Sequence, residues 1–269
     1  MWSFTGDVAE FARHAEPYLL EDPVRNTVAL TVLDGLRTGL WRGEDLLAGW
    51  WTSGGRVRGA AYRTPPFPLG LTVMPVEAVV LLMAELSGRD IPKIHGPRLL
   101  VEAAVAHLGR PAREVQSQCL YRLATLVPPQ GVPGRGRVAT GEDLELLVRW
   151  LAAFDEEAGE GRKPDHRRRV GHRVARGDML LWEDAGEPVA VAGISAACGG
   201  VSRIGPVYTP PYARGRGYGS AVTAFASRTA LEQRCEQVVL FTDLANPTSN
   251  KIYQRIGFEP VGPYAVMSL

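Results

Sequence analysis

Cysteine is scarce in this 269-residue chain: Cys119, Cys198 and Cys235 are its three thiols, and they lie far apart. An odd, scattered set gives neither a disulfide framework nor the paired spacing of a zinc site, and it suits a reducing compartment. Net charge is almost absent as well. Thirty basic and 29 acidic side chains leave +1, which removes any general pull toward nucleic acid or an anionic membrane. No long apolar run exists either. The longest, Val76 to Leu86, carries Glu77 and Glu85, is too short to cross a bilayer, and reads as a buried helix. The opening stretch, MWSFTGDVAEFARHAEP, lacks the basic start and apolar core of a signal peptide. The expectation is a cytoplasmic protein with no nucleic-acid, membrane or metal partner. What remains is ordinary globular material, 45% hydrophobic and 22% charged.

Apolar periodicity places helices around Phe11 to Leu19, from Val24 to Leu36, from Val76 and from Leu99 to Leu108. Leu46 to Trp51 and Leu69 to Val73 are further segments, and strands are expected at Arg56 to Tyr62 and Cys119 to Val127. Pro128 to Gly136 (PPQGVPGRG) has the composition of a linker, so the chain is read as two domains, residues 1–130 and 135–269. In the second, Thr140 caps a helix whose apolar face is Leu144, Leu147, Val148 and Leu151. A basic helix with a solvated arginine face follows from about Asp165 to Arg176. Met179 to Trp182 and Pro188 to Ser195 then form a hairpin. The stretch from Trp51 to Ala61 faintly echoes that from Trp182 to Ala192, as an internal duplication would.

Chemistry concentrates between Ile204 and Ser220. Val207 to Thr209 reads as a strand end, Pro210-Pro211 as its stop, and Arg214-Gly215-Arg216-Gly217-Tyr218-Gly219 as a turn opening a helix. Glycines there let backbone approach a ligand, while free N–H groups and the helix dipole attract an anion such as a pyrophosphate. A P-loop is excluded because no Gly-Lys-Ser/Thr follows. A dinucleotide-binding fingerprint is disfavoured: Ser220 stands where its third glycine belongs, Pro206 interrupts the preceding strand, and too little chain remains for a doubly wound sheet.

The spacing Arg-x-x-Gly-x-Gly at Arg214, Gly217 and Gly219 resembles the acyl-CoA pyrophosphate loop of the GNAT N-acetyltransferases. A buried strand, Val238 to Thr242, and the run from Asn246 to Phe258, with Tyr253 on its helix and Gly257-Phe258 at its end, match that family's second motif in order and position. The resemblance covers about residues 135–269. It implies an α/β fold with a mixed, mostly antiparallel sheet and helices on both faces, and it makes the first half a degenerate GNAT-like domain that closes over substrate or forms a homodimer interface. It further implies an acyltransferase that uses acetyl-CoA as co-substrate and a small-molecule or peptide amine as acceptor. Val207, Tyr208 and Thr209 would line the acetyl and pantetheine arm, and Arg214, Gly215, Arg216, Gly217, Tyr218, Gly219 and Ser220 would hold the pyrophosphate. Asn246 and Asn250 would contact the CoA arm, and Tyr253 would sit near sulfur as general acid.

For the base that frees the attacking amine, Glu156, Glu157, Asp243 and a water chain all stay open. Cys198 or Cys235 as an acyl-carrying nucleophile wants a neighbouring base, and no histidine lies near either in sequence. A non-catalytic acyl-CoA sensor is the alternative function, and a dinucleotide-binding module the remote one. The turn at Thr72 to Glu77, with a proline and no glycine, should bind no CoA.

Overall fold

The computed structural model describes residues 1–41, 43, 45–109, 111–159 and 166–269. The chain folds into two compact units. The first comprises residues 1–121, 242–246 and 260–269, the second residues 122–241 and 247–259.

Two successive runs of elements repeat the same order. The first run is β1 (Trp2–Thr5), α1 (Val8–Leu19), α2 (Thr27–Arg37), β2 (Leu47–Ser53), β3 (Arg56–Arg63), β4 (Leu69–Leu71), α3 (Val76–Glu85), β5 (Lys93–Pro97), α4 (Arg98–Leu108) and β6 (Arg113–Leu123). The second is β7 (Arg135–Val138), α5 (Leu144–Glu157), α6 (His166–Ala175), β8 (Met179–Asp184), β9 (Glu187–Ile194), β10 (Val201–Tyr208), α7 (Tyr218–Gln233), β11 (Gln237–Asp243), α8 (Pro247–Ile256) and β12 (Phe258–Ser268). The echo between the halves lies in their hairpins. Gly54-Gly55 turns β2 into β3 and Ala185-Gly186 turns β8 into β9, all four residues with positive φ, the backbone of a tight two-residue hairpin. The register slips directly after Trp51 in one hairpin and after Trp182 in the other. The expected sheet is mixed and mostly antiparallel in both units.

In the first unit the strand order is β1-β2-β3-β4-β5-β12-β6. Strand β12 pairs antiparallel with β5, from Tyr264 opposite Pro97 to Ser268 opposite Lys93. Thus the final strand of the second run completes the first unit's sheet, and Ala265 joins its core with Leu69, Leu82, Ile94 and Val101. Helix α3, expected to be buried, is buried on the face of Ala78, Val79, Leu82 and Met83, while Val76 and Leu81 are each 42% exposed.

In the second unit the order is β11-β10-β9-β8-β7. The stretch read as a linker is held at its far end: Trp182 Nε1 donates to Pro133 O at 2.8 Å, and Arg135 to Val138 pair with β8. Ahead of α5, Thr140 and Asp143 form a capping box, with the Asp143 carboxylate accepting from Thr140 N at 2.7 Å and from Arg137 at 2.7 and 2.8 Å. These bonds hold its carboxyl below the usual range, Arg137 foremost. Leu147, Trp150 and Leu151 then bury one face of α5 against Met179, Leu181, Val191 and Tyr208; full burial of a leucine such as Leu147 stabilises by about 2 kcal/mol. The segment from Asp165 on was read as a solvated basic helix. Asp165 lies outside the described residues, and α6 itself is not uniformly solvated: Arg173 runs inward, donating to Ile194 O at 3.2 Å and Gly205 O at 2.9 Å. Gly193 makes room, since a Cβ there would meet Arg173 Nη2 at 2.1 Å.

Candidate active site

The site begins where two strands part. Strands β10 and β11 run parallel from Val201 opposite Gln237 to Ile204 opposite Leu240, where that ladder ends. On its other side β10 stays joined to β9, with Val207 opposite Ala192 and Tyr208 opposite Val191 after an irregularity at Gly205-Pro206. Val207 and Tyr208 therefore lie beyond the last β10–β11 pair. Arg173 braces this bend through Gly205 O, and burial pushes its guanidinium down to about 10.

Directly after β10, Thr209 and the short turn Pro211–Ala213 lead to the glycine loop. Gly217 is the N-cap of α7, with φ +84 and no side-chain capping bond. The first intrahelical bond runs from Ala221 N to Gly217 O, so the N–H groups of Tyr218, Gly219 and Ser220 precede the helix's own bonding and point out of its N-terminus. Gly215 and Gly217 are exposed, and a Cβ on Gly215 would meet no atom within 4 Å. A Cβ on Gly217 would meet Val132 Cγ2 at 2.9 Å. Backbone donors, a positive dipole end and the open side of Gly215 fit the pyrophosphate of a coenzyme A.

Both loop arginines already hold carboxylates. Arg214 Nε donates to Thr209 O at 2.9 Å, and its Nη2 donates to the two Glu157 oxygens at 2.9 and 2.7 Å. Tyr208 donates its hydroxyl to Glu157 Oε1 at 3.3 Å; its ring lies 5.8 Å from the Arg214 guanidinium carbon and packs near Trp150 and Phe154. Burial, then Glu157, raises the Tyr208 phenol. Arg216 Nη2 lies 3.3 Å from Asp184 Oδ2, which also accepts from the Tyr218 hydroxyl. Sequence reading missed Asp184, Trp150 and Phe154, since a hairpin-end aspartate and two apolar-face aromatics give no local signal of a site.

Helix α8 packs on α7 and carries Asn250 and Tyr253. Tyr253 is 9% exposed, lies edge-on to Phe258 at 6.2 Å, and is pushed up to about 12 by burial, against a hydrogen bond with Ser249. At neutral pH such a phenol is a proton donor and never a base. The segment after α8 closes tightly: Gly257 has φ +104, and a Cβ there would meet Thr125 O at 1.8 Å.

Among the described residues, the other base candidates make no bond to Tyr208 or Arg214. Glu156 is exposed at the end of α5. Asp243 and Asn246 belong to the first unit, where Asp243 O accepts from Asn246 N at 3.0 Å and Asp243 Oδ1 from Ala245 N at 2.8 Å. Burial raises the Cys235 thiol, opposite to what a thiolate nucleophile needs. Among the described residues no group of three or more His, Cys, Asp or Glu is arranged to hold a metal, and no helix is long and apolar enough to cross a membrane.

The corresponding turn of the first unit, from β4 into α3, is bonded differently. Thr72 Oγ1 accepts from Ala60 N and donates to Ala60 O, both at 2.9 Å. Tyr18 donates to Val73 O, and Pro75 is the N-cap of α3.

Comparison with known proteins agrees with this geometry. A mycothiol acetyltransferase of Nocardia farcinica is 30% identical over 180 residues, 62% of this chain and 59% of that protein. Another, of Acidothermus cellulolyticus, is 28% identical over 215 residues, covering 72% and 65%. The chain thus spans less than two thirds of the length of either relative. A tandem GNAT protein from the clavulanic acid biosynthesis pathway shares the fold over 100% of this chain and 98% of its own, with a TM-score of 0.58 at 13% identity, so the first half is GNAT-like in fold too. Residues 144–258 match the model of the acetyltransferase (GNAT) family, and the second half of this chain carries a domain of that family.

Proposed function

We propose that this chain is an N-acetyltransferase that moves an acetyl group from acetyl-CoA to a primary amine by direct attack in a ternary complex. The observation that carries the reading is the parting of β10 from β11 at Ile204 beside the glycine-capped N-terminus of α7. Val207, Tyr208 and Thr209 would receive the acetyl end, with backbone amides polarising the thioester carbonyl. Gly215, Gly217, Gly219 and Ser220 would hold the pyrophosphate through N–H groups and the helix dipole, with Arg214, Arg216 and Tyr218 around them. Asn246 and Asn250 are assigned to the CoA arm.

Glu157 stands nearer this machinery than Glu156 because it already touches Tyr208 and Arg214. It would take the proton that the ammonium must lose before its nitrogen attacks the carbonyl carbon. As the carbon–sulfur bond breaks, the electron pair goes to sulfur and Tyr253 donates toward it. The acceptor is a small or peptide amine, and the first half is assigned to covering that acceptor or to a homodimer interface. Both curated relatives are named mycothiol acetyltransferases, so mycothiol-related amines head the panel of acceptors. The test follows thiol release from acetyl-CoA with and without that panel. Amine-dependent release is expected; release indifferent to every amine would refute transfer.

A further inference from the structure

The two residues assigned above to different ligands are bonded to each other. Arg214 sits in the loop assigned to the pyrophosphate, Glu157 is the assigned base, and Arg214 Nη2 is shared between both Glu157 oxygens at 2.9 and 2.7 Å. We propose that the pyrophosphate of the co-substrate and the Glu157 carboxylate compete for the Arg214 guanidinium, so that acetyl-CoA binding releases the base. The proposal rests on the acetyl-CoA reading of the loop and adds an order of events to it.

Three features favour an exchange over a fixed structural pair. Each side chain is 47% exposed, and an ion pair that open to water stabilises by no more than about 1 kcal/mol. A pyrophosphate brings more negative charge to the same place and also gains the N–H groups at the start of α7, which Glu157 does not reach. Arg214 Nε stays on Thr209 O at 2.9 Å, so the guanidinium is held at the junction of strand and loop whichever anion takes its outer nitrogens. Once released, Glu157 keeps the Tyr208 hydroxyl as a donor and remains beside the end of β10, where the thioester is assigned. While Arg214 Nη2 is shared by both Glu157 oxygens, those oxygens face the guanidinium and not an incoming amine. The exchange therefore makes proton removal from the amine depend on acetyl-CoA being in place.

The test is calorimetric titration of acetyl-CoA into the full chain, its E157Q and R214Q variants, and the double variant. Glu157→Gln removes the competing charge and should tighten acetyl-CoA about threefold to fivefold, while turnover falls at least tenfold. Arg214→Gln should weaken binding, and in that background Glu157→Gln should no longer tighten it. Unchanged or weaker binding by E157Q, or tightening that persists without Arg214, would overturn the competition. If the unaltered chain takes up no acetyl-CoA, the reading of the loop fails, and the exchange with it.

Discussion

Replacing Tyr253 with phenylalanine isolates one hydroxyl. The ring keeps its edge contact with Phe258 and gives up the bond with Ser249, which removes about 1 kcal/mol of stability. The phenol, pushed up to about 12 by burial, stands roughly 3.5 units above a thiol of about 8.5, so complete proton transfer to the departing thiolate is uphill by about 5 kcal/mol. On the proposed assignment, Tyr253 would act mainly by hydrogen-bonding the charge that gathers on sulfur in the transition state. A hydrogen bond to a charged partner contributes about 1.5–3 kcal/mol, and the expected fall in kcat is therefore about 10- to 150-fold, with acetyl-CoA affinity nearly unchanged. Stopped-flow thiol release with a saturating amine measures the first, and calorimetry the second. The variant should also resist alkali better. The raised phenol favours the unfolded chain as pH rises from about 10, its unfolded value, to about 12, and two units correspond to about 2.7 kcal/mol. Undiminished kcat, or a loss confined to KM, would refute the assignment and leave Tyr253 a core aromatic.

Gly219→Val tests the loop more cleanly than a change at Gly217, because Gly219 has ordinary helical φ and its Cβ would meet only Thr209 Oγ1 at 3.3 Å. Acetyl-CoA affinity should fall at least about tenfold, or 1.4 kcal/mol, with an unaltered circular dichroism spectrum; equal affinity would remove the loop from the site. Titration should give one acetyl-CoA per chain, because the first unit's turn from β4 into α3 has no glycine and starts its helix at Pro75; two equal sites would contradict this. Asp143→Asn should destabilise by about 1–3 kcal/mol at pH 7 in urea unfolding. Its carboxyl is held low by Arg137 and Thr140, so the difference should be full above about pH 4 and vanish as pH falls through the lowered native value; a difference that persists in acid would point to packing.

Much of the second unit was legible because its chemistry is written in short local runs. The glycine spacing from Arg214 to Gly219, the cap at Thr140 and the left-handed stop at Gly257 each depend on neighbours within a few residues. Partners chosen at long range left no such mark. Arg173 reads as one more solvated arginine until Gly193 and Gly205 are seen to make its berth. Strand β12 contains Pro260, Gly262 and Pro263, residues that signal a break, yet its ladder with β5 begins just after them at Tyr264. Nor could spacing tell Glu157 from Glu156. One helical step separates them, and only the side chains of Tyr208 and Arg214 distinguish the two.

The placement of β12 sets the order in which this protein can be finished. A ribosome delivers β5 long before Tyr264 to Ser268 exist, so the first unit to emerge is the last to close its sheet. Until then the backbone edge of β5 stays open to pairing with other chains. The same arrangement ties the first run to the end of the second. A chain cut between its two runs of elements would leave Ile94 without the neighbour strand that carries Ala265 and Met267, so the first run expressed alone would keep that sheet edge open.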